Sequence, residues 1–212
     1  MATNKPELAS ARLVVSTPLT PRASIVRFRR VQEQGEIARP QAYVHAQIDG
    51  RISSYFEWLG AGVYCPDRHA PGQNGRPQIL RELRYGFDEH FFYLRVDPLP
   101  GSMSTLGDVE FRIRLRAKEE TRLLVGVENG RFAGSLFDTE EVCILGPHEL
   151  VGAAFDDILE VSIGRKLVRL GSDASMSIRV ELCSGNVVLD ALPRGGSMEV
   201  ELGTGAFAWP AE

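Results

Sequence analysis

The 212-residue chain has no long apolar run and only a small imbalance of charge. No stretch approaches the roughly 18 apolar residues that a membrane span requires, and the N-terminal "MATNKPELAS" lacks the apolar segment of a secretory signal. The formal net charge of -4 gives no reason to expect nucleic-acid binding. We therefore expect a cytoplasmic protein with neither membrane nor nucleic acid among its partners.

Cysteine is also scarce. The three cysteines, Cys65, Cys143 and Cys183, are widely spaced, and no CxxC pair occurs, so neither a disulfide framework nor a zinc site is indicated. His69 and His148 add ligand types that zinc prefers, but their spacing from the cysteines matches no known zinc set. Free thiols in a reducing compartment are the expectation.

Signatures of catalysis and cofactor binding are missing as well. The chain contains no GxSxG, no P-loop and no GxGxxG between a strand and a helix. We therefore predict a protein that is not an enzyme and needs no cofactor. A structural calcium ion is the one metal that stays open, with oxygens from Asp156 and Asp157 or from Asp88 and Glu89.

What the chain does contain, from residue 41 onward, is a hydrophobic period of two. "FRIRLR" (Phe111 to Arg116), "MSIRVEL" (Met176 to Leu182) and "MEVEL" (Met198 to Leu202) all alternate apolar and polar residues. Such alternation predicts strands with one buried and one solvated face. Turn signals such as "DPLPGS", "ENGRF", "CSGN" and "PRGG" separate them. Many short strands with Gly/Pro turns predict an all-β fold, an antiparallel β-sandwich over residues 41–212.

Two local predictions complete this outline. Residues 79–97 predict a hairpin with "DEH" (Asp88 to His90) as its turn, because an Asp side chain binds nearby backbone amides. Residues 1–40, which contain "STPLTPRAS", predict an extended linker that packs along the domain or joins it to something upstream.

The most aromatic part of the chain is "IDGRISSYFEWLGAGVY", residues 48–64. If residues 54–64 form one strand, then Phe56, Trp58 and Tyr64 lie on the same face. The glycines of this stretch would leave room for a large ring to lie flat over the backbone. This pattern is what an aromatic platform for a ligand would require.

Two interpretations of this stretch remain open. On an exposed face, Trp58 and Tyr64 could stack against pyranose rings. Both faces of the proposed strand carry large apolar groups, however, which favours a central strand buried on both sides. In either case we expect Phe56 to belong to the core and Trp58 and Tyr64 to be the first places to seek a ligand.

A single acidic residue, Glu57, interrupts the aromatic stretch. A glutamate among apolar neighbours must reach solvent or find a partner. We expect a cross-strand ion pair with one of three nearby arginines, Arg81, Arg84 or Arg95.

The longest polar loop, "YCPDRHAPGQNGRP", follows this stretch directly. Functional residues concentrate in loops that a rigid scaffold positions, and this loop offers donors and acceptors for ligand hydroxyls. Together with Trp58 and Tyr64, we predict the following ligand-binding residues: Asp67, Arg68, His69, Gln73 and Asn74.

Several short motifs, taken in order, resemble a known family. They are Ile48-Asp49-Gly50, Glu57-Trp58, Phe87-Asp88 with Tyr93-Leu94, and Leu159-Glu160-Val161-Ser162-Ile163. The chain resembles the accessory β-sandwich found downstream of the catalytic domain in some bacterial glycoside hydrolase family 57 (α-amylase-like) proteins, itself similar to family 9 carbohydrate-binding modules and DOMON-like sandwiches. The resemblance covers about residues 41–205.

This resemblance implies a sandwich fold and an association with α-glucan metabolism. The chain lacks the several-hundred-residue barrel, with its two carboxylates, of a family 57 catalytic domain. We therefore expect a non-catalytic domain that binds or positions an α-glucan or oligosaccharide and that works beside a glycoside hydrolase catalytic domain. The alternative is a structural or protein-interaction sandwich, because related sandwiches serve as spacers.

Overall fold

A computed structural model describes residues 35–67, 75–169 and 175–201. Over these ranges the chain is all-β, with two antiparallel sheets and no α-helix. The predicted antiparallel sandwich is confirmed. No helix in these ranges is long and apolar enough to cross a membrane.

The first sheet has six strands in the order β1-β2-β3-β4-β10-β9. Every neighbouring pair in it is antiparallel. Its strands are β1 (Gly35–Ala38), β2 (Gly62–Pro66), β3 (Leu80–Phe87), β4 (Phe91–Pro98), β9 (Val151–Phe155) and β10 (Leu159–Gly164).

The second sheet has seven strands in the order β12-β11-β5-β6-β7-β8, and β13 pairs with β11 on the same side as β12. A short 3-10 turn, Met103–Thr105, lies in the connection that leads into it. Its strands are β5 (Val109–Arg116), β6 (Glu120–Glu128), β7 (Arg131–Asp138), β8 (Cys143–Leu145), β11 (Ser175–Ser184), β12 (Val187–Leu192) and β13 (Met198–Glu201).

Strand β5 shows how the alternating sequence produces the sandwich. Phe111, Ile113 and Leu115 are buried between the sheets, because every second side chain of a strand points to the same face. The arginines between them point outward and pair with acidic side chains. These pairs are Arg112–Glu110, Arg114–Glu181 and Arg116–Glu120.

The hairpin predicted for residues 79–97 is present as β3 and β4. Its turn depends on Asp88, whose Oδ1 accepts hydrogen bonds from the backbone amides of His90 (2.7 Å) and Phe91 (2.6 Å). The hydroxyl of Tyr93 donates to Asp88 Oδ2 at 2.8 Å. The aspartate therefore fixes both the turn and the side chain of Tyr93 near the beginning of the return strand.

A buried aspartate joins the two sheets. Asp190 of β12, which has no solvent exposure, accepts hydrogen bonds at its Oδ2 from the backbone amides of Ile79 and Leu80, each at 2.8 Å. These amides lead into β3 of the opposite sheet. Asp190 therefore satisfies two backbone donors that the sheet leaves unpaired at the beginning of β3.

The first sheet begins at Gly35, before the boundary between linker and sandwich that the sequence predicted after residue 40. Strand β1 lies inside the segment predicted as a linker and pairs with β2, with Ile37 opposite Tyr64. The rest of the predicted linker, residues 1–34, lies outside the described residues. All three cysteines are free.

Candidate contact surface

Trp58 does not present an open ring. Only 3% of it is exposed, and it packs with Val44 and Tyr93 on the face of the first sheet that is turned away from the second. The guanidinium carbon of Arg95 lies 5.9 Å from the centre of its ring. The indole is thus the centre of a small second core.

Glu160 of β10 holds Trp58 in this position. Its Oε1 accepts a 2.9 Å hydrogen bond from the indole Nε1, and its Oε2 accepts from the backbone amides of Asp49 (3.2 Å) and Gly50 (3.0 Å). Burial raises the pKa of the Glu160 carboxyl, whereas these three hydrogen bonds lower it, and the net shift is upward. The carboxylate clamps both ends of the segment 49–58 to the sheet.

Gly50 makes this close approach possible. Its φ of +80° lies in the left-handed region, and a Cβ at this position would come within 2.7 Å of the backbone nitrogen of Asp156. Its carbonyl accepts hydrogen bonds from the amides of Asp157 (3.0 Å) and Ile158 (3.1 Å). The motif residues at 48–50, 57–58 and 159–163 therefore meet in space as one structural clamp.

Tyr64 is also unavailable as a platform. It lies in β2 with 2% exposure and belongs to the main core. The space above Gly62 is occupied as well, because a Cβ there would lie 2.5 Å from Cζ of Tyr85. The ring of Tyr85 therefore fills the space above Gly62 that the sequence suggested for a ligand ring.

The expectation of a single open strand over residues 54–64 is therefore wrong. Residues 55–60 form turns, and the strand begins only at Gly62. The alternative interpretation, in which the aromatic side chains are buried, is correct for Trp58 and Tyr64. In this conformation neither ring offers a free face to a sugar.

Phe56 is the reverse case. The prediction that it belongs to the core is wrong, because 76% of Phe56 is exposed. Its neighbour Tyr55 is 75% exposed, and the two rings meet edge to face, with centroids 5.7 Å apart and planes at 81°. Ile52 and Leu59 are more than half exposed in the same segment. We call residues 52–59 the exposed turn.

The exposed turn is apolar at its tip and fixed at both ends. Trp58 anchors its C-terminal end through Glu160, and the amide of Leu59 donates to the carbonyl of Phe56 at 3.2 Å. At the N-terminal end, Arg51 pairs with Asp156. Because the aromatic side chains Tyr55 and Phe56 need no rearrangement of this frame to meet a partner, the turn presents them ready for contact.

Of the five ligand-binding residues predicted in the polar loop, the structure describes Asp67. Asp67 is half-buried, and its carbonyl accepts hydrogen bonds from Gln78 Nε2 (3.2 Å) and Arg194 Nη1 (3.4 Å). The roles predicted for this loop stay predictions. Its other four predicted ligand residues, Arg68, His69, Gln73 and Asn74, lie outside the described residues.

Glu57 does not form the predicted ion pair. Two of the three arginines pair instead with Asp97: Arg81 at 2.6 Å and Arg95, through two hydrogen bonds, at 2.6 and 2.8 Å. Arg84 pairs with Glu82 at 2.7 Å. Oε2 of Glu57 is buried and accepts no hydrogen bond from the described residues.

Two of the four carboxylates considered for calcium, Asp156 and Asp88, have other partners. Asp156 pairs with Arg51, and Asp88 caps its hairpin turn. Within residues 35–67, 75–169 and 175–201, no group of three or more His, Cys, Asp or Glu side chains is placed to hold a metal ion. The predicted absence of a cofactor stays a prediction.

Comparison with known proteins gave no match among family models, curated proteins or solved structures.

Proposed function

We propose that the protein is a non-catalytic accessory domain of an α-glucan-active glycoside hydrolase and that it contacts the glucan through the exposed turn. The resemblance of its ordered motifs to the family 57-associated sandwich supports the ligand class. The observation that carries the proposal is the exposure of Tyr55 and Phe56 on a turn that Glu160 fixes to the sheet.

The chemistry of the exposed turn suits a sugar. A pyranose presents C–H groups on one face, and these groups pack on an aromatic ring such as that of Phe56. The hydroxyl of Tyr55 adds a donor and acceptor at the edge of the site. Contact of this kind positions a glucan and performs no covalent chemistry. The cytoplasm, where storage α-glucans and free thiols coexist, is the compartment that we propose.

Binding should be tested by calorimetry with maltooligosaccharides and by gel retardation with glycogen. We expect the wild-type protein to bind and the Y55A/F56A double variant to bind at least tenfold more weakly. Leu145→Ala is a matched control, because Leu145 is 83% exposed on β8 of the other sheet. No binding at millimolar sugar would overturn the proposal, and turnover of these sugars would overturn its non-catalytic part.

A second candidate function is supported by the angle between the two rings. Planes at 81° do not both lie flat along one glucan chain, whereas edge-to-face rings flanked by Ile52 and Leu59 fit a pocket of another protein domain. In that case the turn packs on a catalytic domain or on a second copy. Sedimentation equilibrium separates these outcomes: a concentration-dependent dimer that Y55A/F56A abolishes would establish self-association.

A further inference from the structure

A cavity of about 710 Å³ opens at one end of the sandwich. Three connections line it: the one between β4 and β5, the Asn129-Gly130 turn between β6 and β7, and the turn between β9 and β10. They come from both sheets, so the cavity lies where the two layers meet. Its size falls in the range of small-molecule sites, about 300–1,000 Å³.

The inner wall of this loop-end cavity is apolar. Phe155 contributes a nearly buried ring that packs on Phe111, with centroids 5.7 Å apart. Met103 packs partly against the same core, and Leu99 lies beside it between two prolines. A wall built on the main core keeps its shape when a ligand arrives.

The rim of the cavity is polar. Asn129 and Asp157 are both exposed on it, and neither side chain forms a hydrogen bond with another described residue. Asp156 is already paired with Arg51. An amide that both donates and accepts, and a carboxylate that accepts, therefore remain available above an apolar wall.

These features together suit one ligand class. A sugar ring has an apolar C–H face for the wall and hydroxyls for the rim. The two carboxylates, with a single arginine between them, disfavour an anionic ligand. Given the proposed α-glucan function, we propose that the loop-end cavity is a second subsite that binds an uncharged sugar unit of the glucan.

Hydrogen bonds and an ion pair connect the rim of the cavity to Gly50 and Arg51, which directly precede the exposed turn. Gly50, which precedes the exposed turn, accepts the amide hydrogen bonds of Asp157 and Ile158, and Arg51 reaches Asp156 on the cavity rim. The two contact regions therefore belong to one rigid piece of the fold.

Two variants remove the rim groups without strain. Asn129 has φ of +51°, so Asn129→Gly deletes the amide at a position where glycine is at ease. Asp157→Ala deletes the carboxylate and keeps the backbone bond to Gly50. Asn186→Gly is the matched control, because Asn186 is an exposed amide in another hairpin turn that does not line this cavity.

The experiment is a titration with maltotriose that is monitored by calorimetry and by the chemical shifts of the amides in NMR spectra. We expect shifts at residues 129–130 and 156–157, and a loss of maltotriose affinity of at least tenfold in N129G/D157A but not in N186G. Glucose 1-phosphate should bind at least tenfold more weakly than glucose or maltose.

The two proposals fail separately. If glycogen and maltotriose bind, with affinity dependent on Tyr55 and Phe56 but unchanged in N129G/D157A, the subsite is overturned and the function stands. If no glucan binds the wild-type protein, the function is overturned and the subsite falls with it. Equal affinity for glucose 1-phosphate and glucose would overturn the assignment to an uncharged sugar.

Discussion

Trp58 donates its indole N–H to Glu160 across 102 residues of sequence, and the carboxylate has no solvent exposure. This contact fixes the C-terminal end of the exposed turn, which displays Tyr55 and Phe56. Trp58, which the sequence predicted to contact a ligand, and Glu160, a motif residue on β10, instead both hold the contact surface in place.

The first prediction concerns the strength of this clamp. In Glu160→Gln, the amide NH₂ must face an N–H donor, so at least one buried donor or acceptor loses its partner. We expect a loss of about 2–3 kcal/mol in the free energy of unfolding, measured by urea denaturation. Glu199→Gln, at an exposed position of β13, is the control and should change stability by less than about 0.5 kcal/mol.

A double-mutant cycle would identify the contact itself. Trp58→Phe keeps most of the packing and removes the indole N–H. If the hydrogen bond is the source of stability, Trp58→Phe and Glu160→Gln should be non-additive by about 1 kcal/mol or more. Strict additivity of the two substitutions would contradict the clamp.

The clamp also shows what sequence patterns reveal and what they do not. The alternation in β5, β11 and β13 locates these strands because a strand's side-chain period is a local property. The fate of Phe56 and Trp58 is not local: it depends on where Glu160 lies in the folded chain. Phe56 and Trp58 are two residues apart, so they would share one face of a strand. Because the segment forms turns instead, Trp58 is buried and Phe56 is exposed.

Glycines were similarly ambiguous in the sequence. Gly60 and Gly62 indicated space above the backbone, and the space exists, but the sequence does not say what fills it. Ala42 lies against Gly60 and Tyr85 against Gly62. The turn of the β3–β4 hairpin was predictable in detail, because Asp88 acts on amides only two and three residues away.

The second prediction tests the close contact at Gly62. A methyl group at Gly62 would overlap the Tyr85 ring and lie 2.8 Å from Cδ of Pro40. We expect Gly62→Ala to destabilise the protein by about 1–3 kcal/mol, measured by thermal and urea unfolding. Gly107→Ala is the control, because nothing lies within 4 Å of its added Cβ. Equal stability of the two variants would show that the contact is not tight.

The third prediction is a pH dependence set by Asp88. Burial raises the pKa of this carboxyl, but hydrogen bonds from the amides of Phe91 and His90 and from Tyr93, with the charge of His45, lower it by more. The net pKa therefore lies below that of an ordinary aspartate. The unfolded chain therefore takes up the proton first as the pH falls. The stabilisation is complete above about pH 5 and is lost as the pH falls below about 4, through the folded-state pKa.

Asp88→Asn isolates this effect from the other acidic groups. Asn keeps an oxygen for the turn amides but has no charge to titrate and no second acceptor for Tyr93. We expect it to cost about 1–2 kcal/mol at pH 7 and progressively less at lower pH, so that the urea midpoints of wild type and variant converge toward pH 3. Midpoints that stay parallel from pH 7 to pH 3 would rule out a lowered pKa at Asp88.

The last prediction separates the role of the exposed turn from that of the clamp beneath it. Tyr55 and Phe56 are three-quarters exposed, so their truncation removes little buried surface. Y55A/F56A should change the free energy of unfolding by no more than about 0.5 kcal/mol per site, whereas Trp58→Phe should cost about 1–3 kcal/mol. Circular dichroism melts of the variants used for binding would measure both. A double variant as unstable as Trp58→Phe would mean that the two rings pack in solution. In that case their loss of glucan binding would reflect unfolding of the turn and not a missing contact.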